Sequence, residues 1–192
     1  EYVYLNDYFS TIYWRQSSPL LKASTRYVRL RAWEARILPY WEGKKLCEVT
    51  PSTVNEWLAK GEGDTKCKPT YLYNLLTYLK GMLNHAKNNG ALGVVPELKR
   101  PKYKLDKKGF LTPREVSKIL SYEDSRASQL AKVMFYLALR VGEATALTVS
   151  DVDLVGGTVR INKRVYRNQL DTVKNGKVAV LPIHAELMPV MV

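Results

Sequence analysis

The sequence is short of the residues that hold metals, form disulfides and cross membranes. Its 192 residues include two cysteines, Cys47 and Cys67, and two histidines, and neither pair has the spacing of a metal site. No apolar run approaches the roughly 20 residues of a bilayer-spanning helix, and no signal-peptide pattern opens the chain. These absences argue against a zinc protein, a disulfide-rich secreted protein and an integral membrane protein. A single disulfide stays open, but we expect free thiols and a cytoplasmic location.

Acidic residues are also scarce relative to basic ones. Eighteen Asp and Glu stand against thirty Lys and Arg, which leaves a net charge of +12. Such an excess favours a polyanionic partner, because phosphates are attracted by the positive field and release counterions on binding. Nucleic acid is the first candidate, and an anionic membrane surface or a merely soluble basic surface are the alternatives. The hydrophobic fraction of 46% is that of a folded globular protein.

Two segments in the first hundred residues have the spacing of amphipathic helices. The first helix is predicted from apolar residues three and four apart, which are Tyr4, Leu5, Tyr8, Phe9, Ile12 and Tyr13. The fourth helix is expected to start with Thr70 as its cap and to end at 88–90, Asn-Asn-Gly, which tolerates left-handed backbone. Its apolar stripe consists of Leu72, Leu75, Leu76, Leu79, Met82, Leu83 and Ala86.

Two shorter helices are predicted between them from capping residues and prolines. The second should run from about Ser24 to about Leu38, where Pro39 should stop it. The third should cover 51–60, with Thr50 as N-cap and Pro51 at the first helical position. The four helices predict a helical domain over residues 1–96.

The pattern changes in the second half of the chain. Residues 97–110 carry six basic and two acidic residues without helical or strand periodicity, and we read them as a basic interdomain linker, either solvated or lying on a phosphate backbone. A second domain over 111–192 opens with a capping box at 112–115, Thr-Pro-Arg-Glu. Helices to about Leu120 and over 125–139 should follow it. Val159 and Ile161, then Val178, Val180 and Ile183, predict strands, with a turn at 175–176, Asn-Gly. The predicted fold class is mainly α with a small antiparallel β-sheet, an α+β fold.

Chemistry is concentrated around Arg140. This cation follows an apolar helix end, and we expect it at the edge of a core, where it needs either an ion pair with Glu143 or an anionic ligand. The run 137–153, Leu-Ala-Leu-Arg-Val-Gly-Glu-Ala-Thr-Ala-Leu-Thr-Val-Ser-Asp-Val-Asp, resembles the first-arginine motif of tyrosine recombinases of the phage-integrase kind, T-G-L-R-I-G-E-L-x-x-L-x-W-x-D-I-D. Residues 110–116 resemble the opening of that family's catalytic domain, and 70–96 resemble the end of its core-binding domain. Ala138 stands where the family usually has Gly, and Val149 where it has an aromatic residue.

The resemblance implies a fold and a mechanism. It implies a four-helix, SAM-like core-binding domain followed by the N-terminal part of a catalytic domain. A tyrosine would attack the scissile phosphate and form a 3′-phosphotyrosyl link, without a metal or other cofactor because the covalent intermediate conserves the bond energy. Arg140 would stabilise the charge on the phosphate oxygens, and Glu143 would support the local structure. Lys174, or alternatively Lys177, would protonate the leaving 5′-oxygen from a β-hairpin.

Several groups of that mechanism are missing from the sequence. No His-x-x-Arg occurs, Tyr166 lies too early to be the nucleophile, and Tyr136, His85 and His184 are interpreted as packing or surface residues. We therefore expect a piece of a longer protein that does not itself cleave DNA.

Duplex DNA is the expected partner, and the resemblance implies that the two domains hold it in a C-shaped clamp. The candidate DNA-binding residues are Lys22, Arg26, Arg29, Lys68, Tyr71, Asn74, Lys80, Lys87, Lys99, Arg100, Lys102 and Lys104, and Arg36 shares one helix with some of them. A longer parent is expected to assemble into a synaptic tetramer and to use accessory DNA-bending or excision proteins. The alternatives are a non-catalytic DNA-binding protein, which includes a degenerate recombinase relative, and a basic module for RNA or anionic lipid.

Overall fold

The computed structural model describes residues 2–63, 67–102, 109–122, 125–173 and 176–191. The chain divides into two compact units, a helical unit over residues 1–106 and an α+β unit over residues 107–192. The predicted fold class, mainly α with a small amount of antiparallel β-structure, is confirmed. Within the described ranges, no helix combines the length and the apolar character that a membrane crossing requires.

The helical unit contains the four predicted helices. Helix α1 covers residues 5–17 and consists of Leu5–Tyr8, a π-helical turn Phe9–Tyr13 and Trp14–Ser17. Helix α2 covers residues 23–41 and consists of Ala23–Ala32, a π-helical turn Trp33–Ile37 and Leu38–Trp41. Helices α3 and α4 are Pro51–Gly63 and Pro69–Asn88. Short 3₁₀ turns, Ser18–Leu20 and Leu46–Glu48, lie between helices.

Several helix boundaries of the helical unit differ from the predictions, and α3 runs to Gly63 instead of residue 60. Pro39 does not stop α2, because the π-helical turn before it places the proline in the first turn of Leu38–Trp41, where a missing N–H costs little. Helix α4 starts one residue before Thr70, since Pro69 takes its first position and Lys68 is the N-cap. Gly90 has φ +72° and ends the helix as predicted.

The core of the helical unit joins the apolar stripe of α4 to a group of aromatic side chains. All seven predicted stripe residues are buried. Trp33, Trp41 and Trp57 are buried with them, and the Trp57 indole N–H donates to the Arg36 carbonyl at 3.1 Å. Leu98 is also buried in this core, so the predicted linker at 97–110 begins as part of the helical unit. An apolar side chain in that stretch gains more by packing than by staying in solvent.

The α+β unit begins with the predicted capping box. The Thr112 hydroxyl accepts from the Glu115 amide at 3.3 Å, and the Glu115 carboxylate accepts from the Thr112 amide at 2.7 Å. Helix α5 is Pro113–Leu120, α6 is Arg126–Tyr136 with Ser125 as N-cap, and α7 is the short Val141–Ala144. The 3₁₀ turns Val149–Asp151 and Ala185–Leu187 and helix α8, Met188–Met191, complete its helical elements among the described residues.

Five strands form two antiparallel sheets in the described part of this unit. Strands β1 (Val152–Asp153), β2 (Thr158–Ile161) and β5 (Ala179–Pro182) form one sheet in the order β1-β2-β5. Strands β3 (Lys163–Tyr166) and β4 (Gln169–Thr172) form a separate hairpin that the sequence patterns did not predict.

Leu181, and not the valines that predicted the strand, forms the inner face of β5. Val159 of β2 is buried and lies opposite Leu181, so Leu181 shares the inner face. Val180 lies opposite Arg160 and is therefore exposed, as is Val178. The valines predicted a strand in this segment, and the strand is present with Val180 on its outer face.

Candidate functional site

The backbone that leads into Arg140 is a left-handed helix end. After α6, the Ala138 amide donates to the Phe135 carbonyl at 3.3 Å and the Leu139 amide donates to the Met134 carbonyl at 3.1 Å, which is a Schellman pattern. Ala138 has φ +50°, the conformation that glycine adopts most easily. The position where the motif usually has Gly is thus the one that requires left-handed backbone. This turn redirects the chain at the start of α7.

Glu143 holds Arg140 at two points. Its carboxylate accepts from the Arg140 amide at 3.0 Å and from the Arg140 Nη1 at 2.9 Å. The Glu143 side chain is 9% exposed and the Arg140 side chain is 71% exposed. The expectation that Arg140 is partly buried at a core edge is therefore wrong: the acid is buried and its guanidinium partner faces solvent. Burial raises the pKa of the Glu143 carboxyl, but the two Arg140 hydrogen bonds and the charges of Arg140 and Arg164 outweigh it and hold that pKa below its ordinary value.

Arg140 lies at a cavity of about 360 Å³. The turn that precedes it, the β1-β2-β5 sheet and Val173 supply apolar walls, and Glu143 and Lys177 supply the remaining charged groups. The lining residues are Leu137, Ala138, Leu139, Arg140, Glu143, Ile161, Val173, Lys177, Ala179 and Leu181. Lys177 thus shares a cavity with Arg140. Lys174, the other candidate for the hairpin lysine, lies outside the described residues. A cavity with two cations and apolar walls is suited to a singly or doubly charged anion such as a phosphate.

A buried carboxylate network follows α7 in the chain. Asp151 accepts from the Lys163 ammonium at 2.6 Å, and the amide and hydroxyl of Thr148 donate to the same oxygen at 2.9 and 2.7 Å. Burial raises the pKa of Asp151, but Lys163 and the two Thr148 hydrogen bonds outweigh it and lower that pKa to about 2. Lys163 was not among the residues predicted from the sequence. The spacing of Thr148 and Asp151, a hydroxyl three residues before an acid, was the signal for half of the network.

The candidate residues of the helical unit do not form one patch. At 3.6 residues per turn, the flank of α4 with Tyr71 and Asn74 lies about 160° from the flank with Lys80 and Lys87. The exposed ridge between these flanks carries small polar side chains and one glycine, which are Thr77, Gly81, Asn84 and Asn88.

Several candidate cations contact groups within the helical unit. Arg26 donates to the carbonyls of Ser18 and Leu21 at 3.0 and 3.4 Å. The Arg29 guanidinium lies 5.3 Å from the centre of the Tyr78 ring, beside the Tyr71 flank. The remaining exposed candidates are Lys22, Lys68, Lys99 and Lys102, and Lys104 lies outside the described residues.

Arg100 makes the corresponding contact on the opposite flank. It donates to the Tyr73 hydroxyl at 2.8 Å, and its guanidinium lies 5.2 Å from the ring centre. The contact fixes the segment after α4 on the Lys80 flank.

Both histidines make contacts in their own unit. His85 Nδ1 lies 2.8 Å from the Tyr8 hydroxyl, and the His184 ring stacks on Tyr136 with centroids 4.8 Å apart. Tyr166 lies half-buried in β3. Among the described residues, no three His, Cys, Asp or Glu side chains are grouped closely enough to hold a metal ion.

Comparison with known proteins gives one curated relative and several similar structures. No protein-family model matches the sequence. Over 91 residues, 44% of this chain and 26% of the relative, the sequence is 34% identical to a protein named tyrosine recombinase XerC from Roseiflexus sp. (strain RS-1). The chain therefore spans about a quarter of that relative's length.

Two solved structures match both halves of the chain. The Tn1549 transposon integrase in complex with a circular intermediate DNA matches with a TM-score of 0.73 and 18% identity. The match covers 99% of this chain and 64% of the Tn1549 integrase chain. A lambda integrase dimer bound to a COC′ core site matches with a TM-score of 0.75 and 16% identity. The match covers 95% of this chain and 49% of the lambda integrase chain. The resemblance predicted from the sequence is confirmed. The chain is similar in sequence to a tyrosine recombinase, and its fold is that of the two solved integrases.

Proposed function

We propose that this chain belongs to a site-specific DNA recombinase, in which it binds duplex attachment-site DNA around the scissile phosphate. The observation that carries the proposal is the placement of Arg140 at a cavity that Lys177 also lines, with its guanidinium turned to solvent and tied to Glu143. An arginine fixed in this way can meet the charge that builds up on a phosphate during strand exchange without reorganising. The net charge of +12 supports a polyanionic ligand.

The chemistry is proposed for a longer parent protein. A tyrosine would attack the phosphate, release the 5′-oxygen and form a 3′-phosphotyrosyl bond, which a 5′-hydroxyl of another strand would later displace. Arg140 would bind the non-bridging oxygens, and a lysine between β4 and β5 in the chain, Lys174 or Lys177, would donate the proton to the leaving oxygen. No His-x-x-Arg occurs in this sequence, so the second arginine of that mechanism would have to come from elsewhere in the parent.

The helical unit would supply the sequence-reading surface of the same complex. We propose that the exposed ridge of α4 faces the bases, since Asn84, Asn88 and Thr77 can donate and accept at base edges. The flanks with Lys80 and Lys87 on one side and Arg29 on the other would then approach phosphates of the two strands. The solved integrases with this fold are described in complex with DNA, in one case as a tetramer on a Holliday junction, which supports DNA and self-association as partners of the parent.

Duplex binding by this chain is the first test. Affinity should fall with salt with a log–log slope of about −0.9 per phosphate contacted. Removing Lys80 and Lys87 by alanine substitution should reduce the magnitude of that slope by up to about 2. Alanine at Lys60, which lies on α3 outside the proposed surface, is the matched control and should leave the slope unchanged. A slope near zero, or equal affinity for single and double strands, would exclude this mode of binding.

Strand exchange by the parent is the second test and separates an enzyme from a non-catalytic DNA-binding protein. Arg140→Ala should abolish strand exchange while duplex affinity stays nearly the same, because the residue meets charge that develops only during the reaction. Arg114→Ala, at an exposed position of α5, is the control. Equal losses of binding and exchange, or no loss of exchange, would contradict the assignment of Arg140.

A further inference from the structure

The β3–β4 hairpin touches the helix that begins at Arg140, backbone to backbone. A Cβ atom on Gly142 of α7 would lie 2.7 Å from the carbonyl oxygen of Val165 in β3 and 3.9 Å from the Cβ of Arg164. A real Cβ does not approach an oxygen that closely, so the helix and the strand are as near as glycine allows. Any displacement of β3 toward α7 must therefore move α7 itself.

The hairpin is fixed at its base by groups of the same unit. Lys163, its first residue, reaches Asp151 at 2.6 Å and the Thr148 hydroxyl at 2.9 Å. The residues that flank the hairpin in the chain, Ile161 and Val173, are both buried and line the Arg140 cavity. The hairpin therefore starts and ends beside residues that line the cavity, and its strand β3 packs against α7.

Arg164 connects the two strands of the hairpin beside that contact. It lies opposite Asp171 in the register, and its Nε and Nη2 donate to one Asp171 oxygen at 3.1 and 2.5 Å. Both side chains are mostly buried, with 21% and 26% exposure, so the pair is poorly screened by solvent. The Arg164 charge also contributes to the low pKa of Glu143, after burial, which raises it, and after the larger effects of Arg140.

We propose that the β3–β4 hairpin is a positioning element for Arg140 and that Arg164 is its positioning residue, acting through Glu143. Arg164, ordered by Asp171, adds positive charge beside the helix that carries Glu143, and the close backbone contact of β3 with Gly142 keeps α7 in place. Glu143 then holds the amide and the guanidinium of Arg140 toward the cavity. The role of the hairpin does not depend on the ligand, but its consequence for catalysis rests on the proposed function.

The experiment is a side-chain NMR study of the 192-residue chain, with Arg164→Gln, Arg164→Lys and the control Arg160→Gln on the exposed side of β2. Carboxyl carbon signals follow the titration of Glu143, and the Nε–Hε signal follows the Arg140 side chain. Glu143→Gln and Arg140→Lys assign these two signals by their loss. Thermal unfolding of each variant reports stability separately.

Arg164→Gln should raise the titration midpoint of Glu143 and shift the Arg140 Nε–Hε signal. Arg164→Lys keeps the charge and should leave the Glu143 midpoint near that of the wild type, and Arg160→Gln should change neither signal. A purely structural Arg164 predicts something different: Arg164→Gln would lower the unfolding temperature while both signals stay at their wild-type positions. That result, or the same shift in Arg160→Gln, would overturn the proposal.

Strand exchange in the parent tests the consequence. Arg164→Gln should lower the rate constant of cleavage about tenfold to a hundredfold, as expected for a misplaced catalytic group, with duplex affinity unchanged. If Arg140→Ala leaves exchange intact, the proposed function fails, while the NMR comparison still decides the role of Arg164. If Arg140→Ala abolishes exchange but Arg164→Gln does not slow it, the positioning role is overturned and the proposed function stands.

Discussion

Replacing Ala138 with glycine should stabilise the α+β unit, because Ala138 has left-handed backbone with φ +50°. That conformation costs a residue with a Cβ atom roughly 1–2 kcal/mol. Glycine escapes this strain but makes the unfolded chain more flexible, which costs roughly 0.4–1 kcal/mol in the opposite direction. The Ala138 side chain is exposed, so little apolar burial is lost. The strain is the larger effect, and the net gain should be about 0.5–1 kcal/mol.

The distribution of tryptophan makes the assay specific to one unit. All four tryptophans, at positions 14, 33, 41 and 57, lie in the helical unit. Tryptophan fluorescence therefore reports unfolding of that unit, whereas far-UV circular dichroism reports both. Ala138→Gly should leave the fluorescence transition unchanged and raise the other transition by roughly 2–8 °C.

A matched substitution in the same unit is the control. Ala131 lies inside α6, where the backbone is right-handed, so Ala131→Gly should destabilise the α+β unit by about 1 kcal/mol. Ala138→Gly and Ala131→Gly should therefore move the same transition in opposite directions. If both substitutions lower this transition, Ala138 does not have left-handed backbone, and the chain does not make the described turn before Arg140.

Three further substitutions test other parts of the structure. Gly142→Ala would place a Cβ atom 2.7 Å from the Val165 carbonyl oxygen, and should destabilise the α+β unit by roughly 1–3 kcal/mol in urea unfolding followed by circular dichroism; unchanged stability would show that α7 and β3 are farther apart. Gly81→Ala should stabilise the helical unit by about 1 kcal/mol, measured by tryptophan fluorescence, because its Cβ would meet only the Tyr13 hydroxyl at 3.7 Å; a loss of stability would contradict the open position of Gly81. Asp151→Asn should cost about 1–2 kcal/mol at pH 7, since it removes charged hydrogen bonds. The pKa of Asp151 is lowered from 3.8 to about 2, so its contribution is complete above about pH 4 and lost as the pH falls toward 2, and the difference between wild type and variant should disappear there; a difference that persists at pH 2 would refute the link to ionisation.

The elements that could be predicted from the sequence are those whose signals are local. The apolar stripe of α4 has helical spacing over four turns, and each of its residues is buried. The capping box at Thr112 and Glu115 forms within four residues and needs no other part of the chain. The left-handed end at Gly90 follows from the freedom of glycine alone.

The elements that could not be predicted depend on contacts between distant residues. Lys163 is one of thirty basic residues, and its value as an ion-pair partner appears only when β3 brings it to Asp151. Val180 points outward because it lies opposite Arg160 in the β2–β5 register. The periodicity within one strand does not reveal this register. Helix α2 continues past Pro39 because the π-helical turn Trp33–Ile37 changes the hydrogen-bond register before the proline. Both end residues of that turn are buried, so the turn depends on packing in the core.

Two interpretations of Arg140, an ion pair with Glu143 or a phosphate ligand, were alternatives in the sequence but are compatible in the structure. A guanidinium has five N–H groups, and the side-chain bond to Glu143 uses one of them, on Nη1. The side chain stays 71% exposed, so an incoming phosphate would not have to bear the desolvation of a buried arginine. The cost of burial falls on Glu143, which the Arg140 amide and guanidinium stabilise. An acid that is buried and an arginine that is exposed give the arrangement that a phosphate can join without breaking the pair.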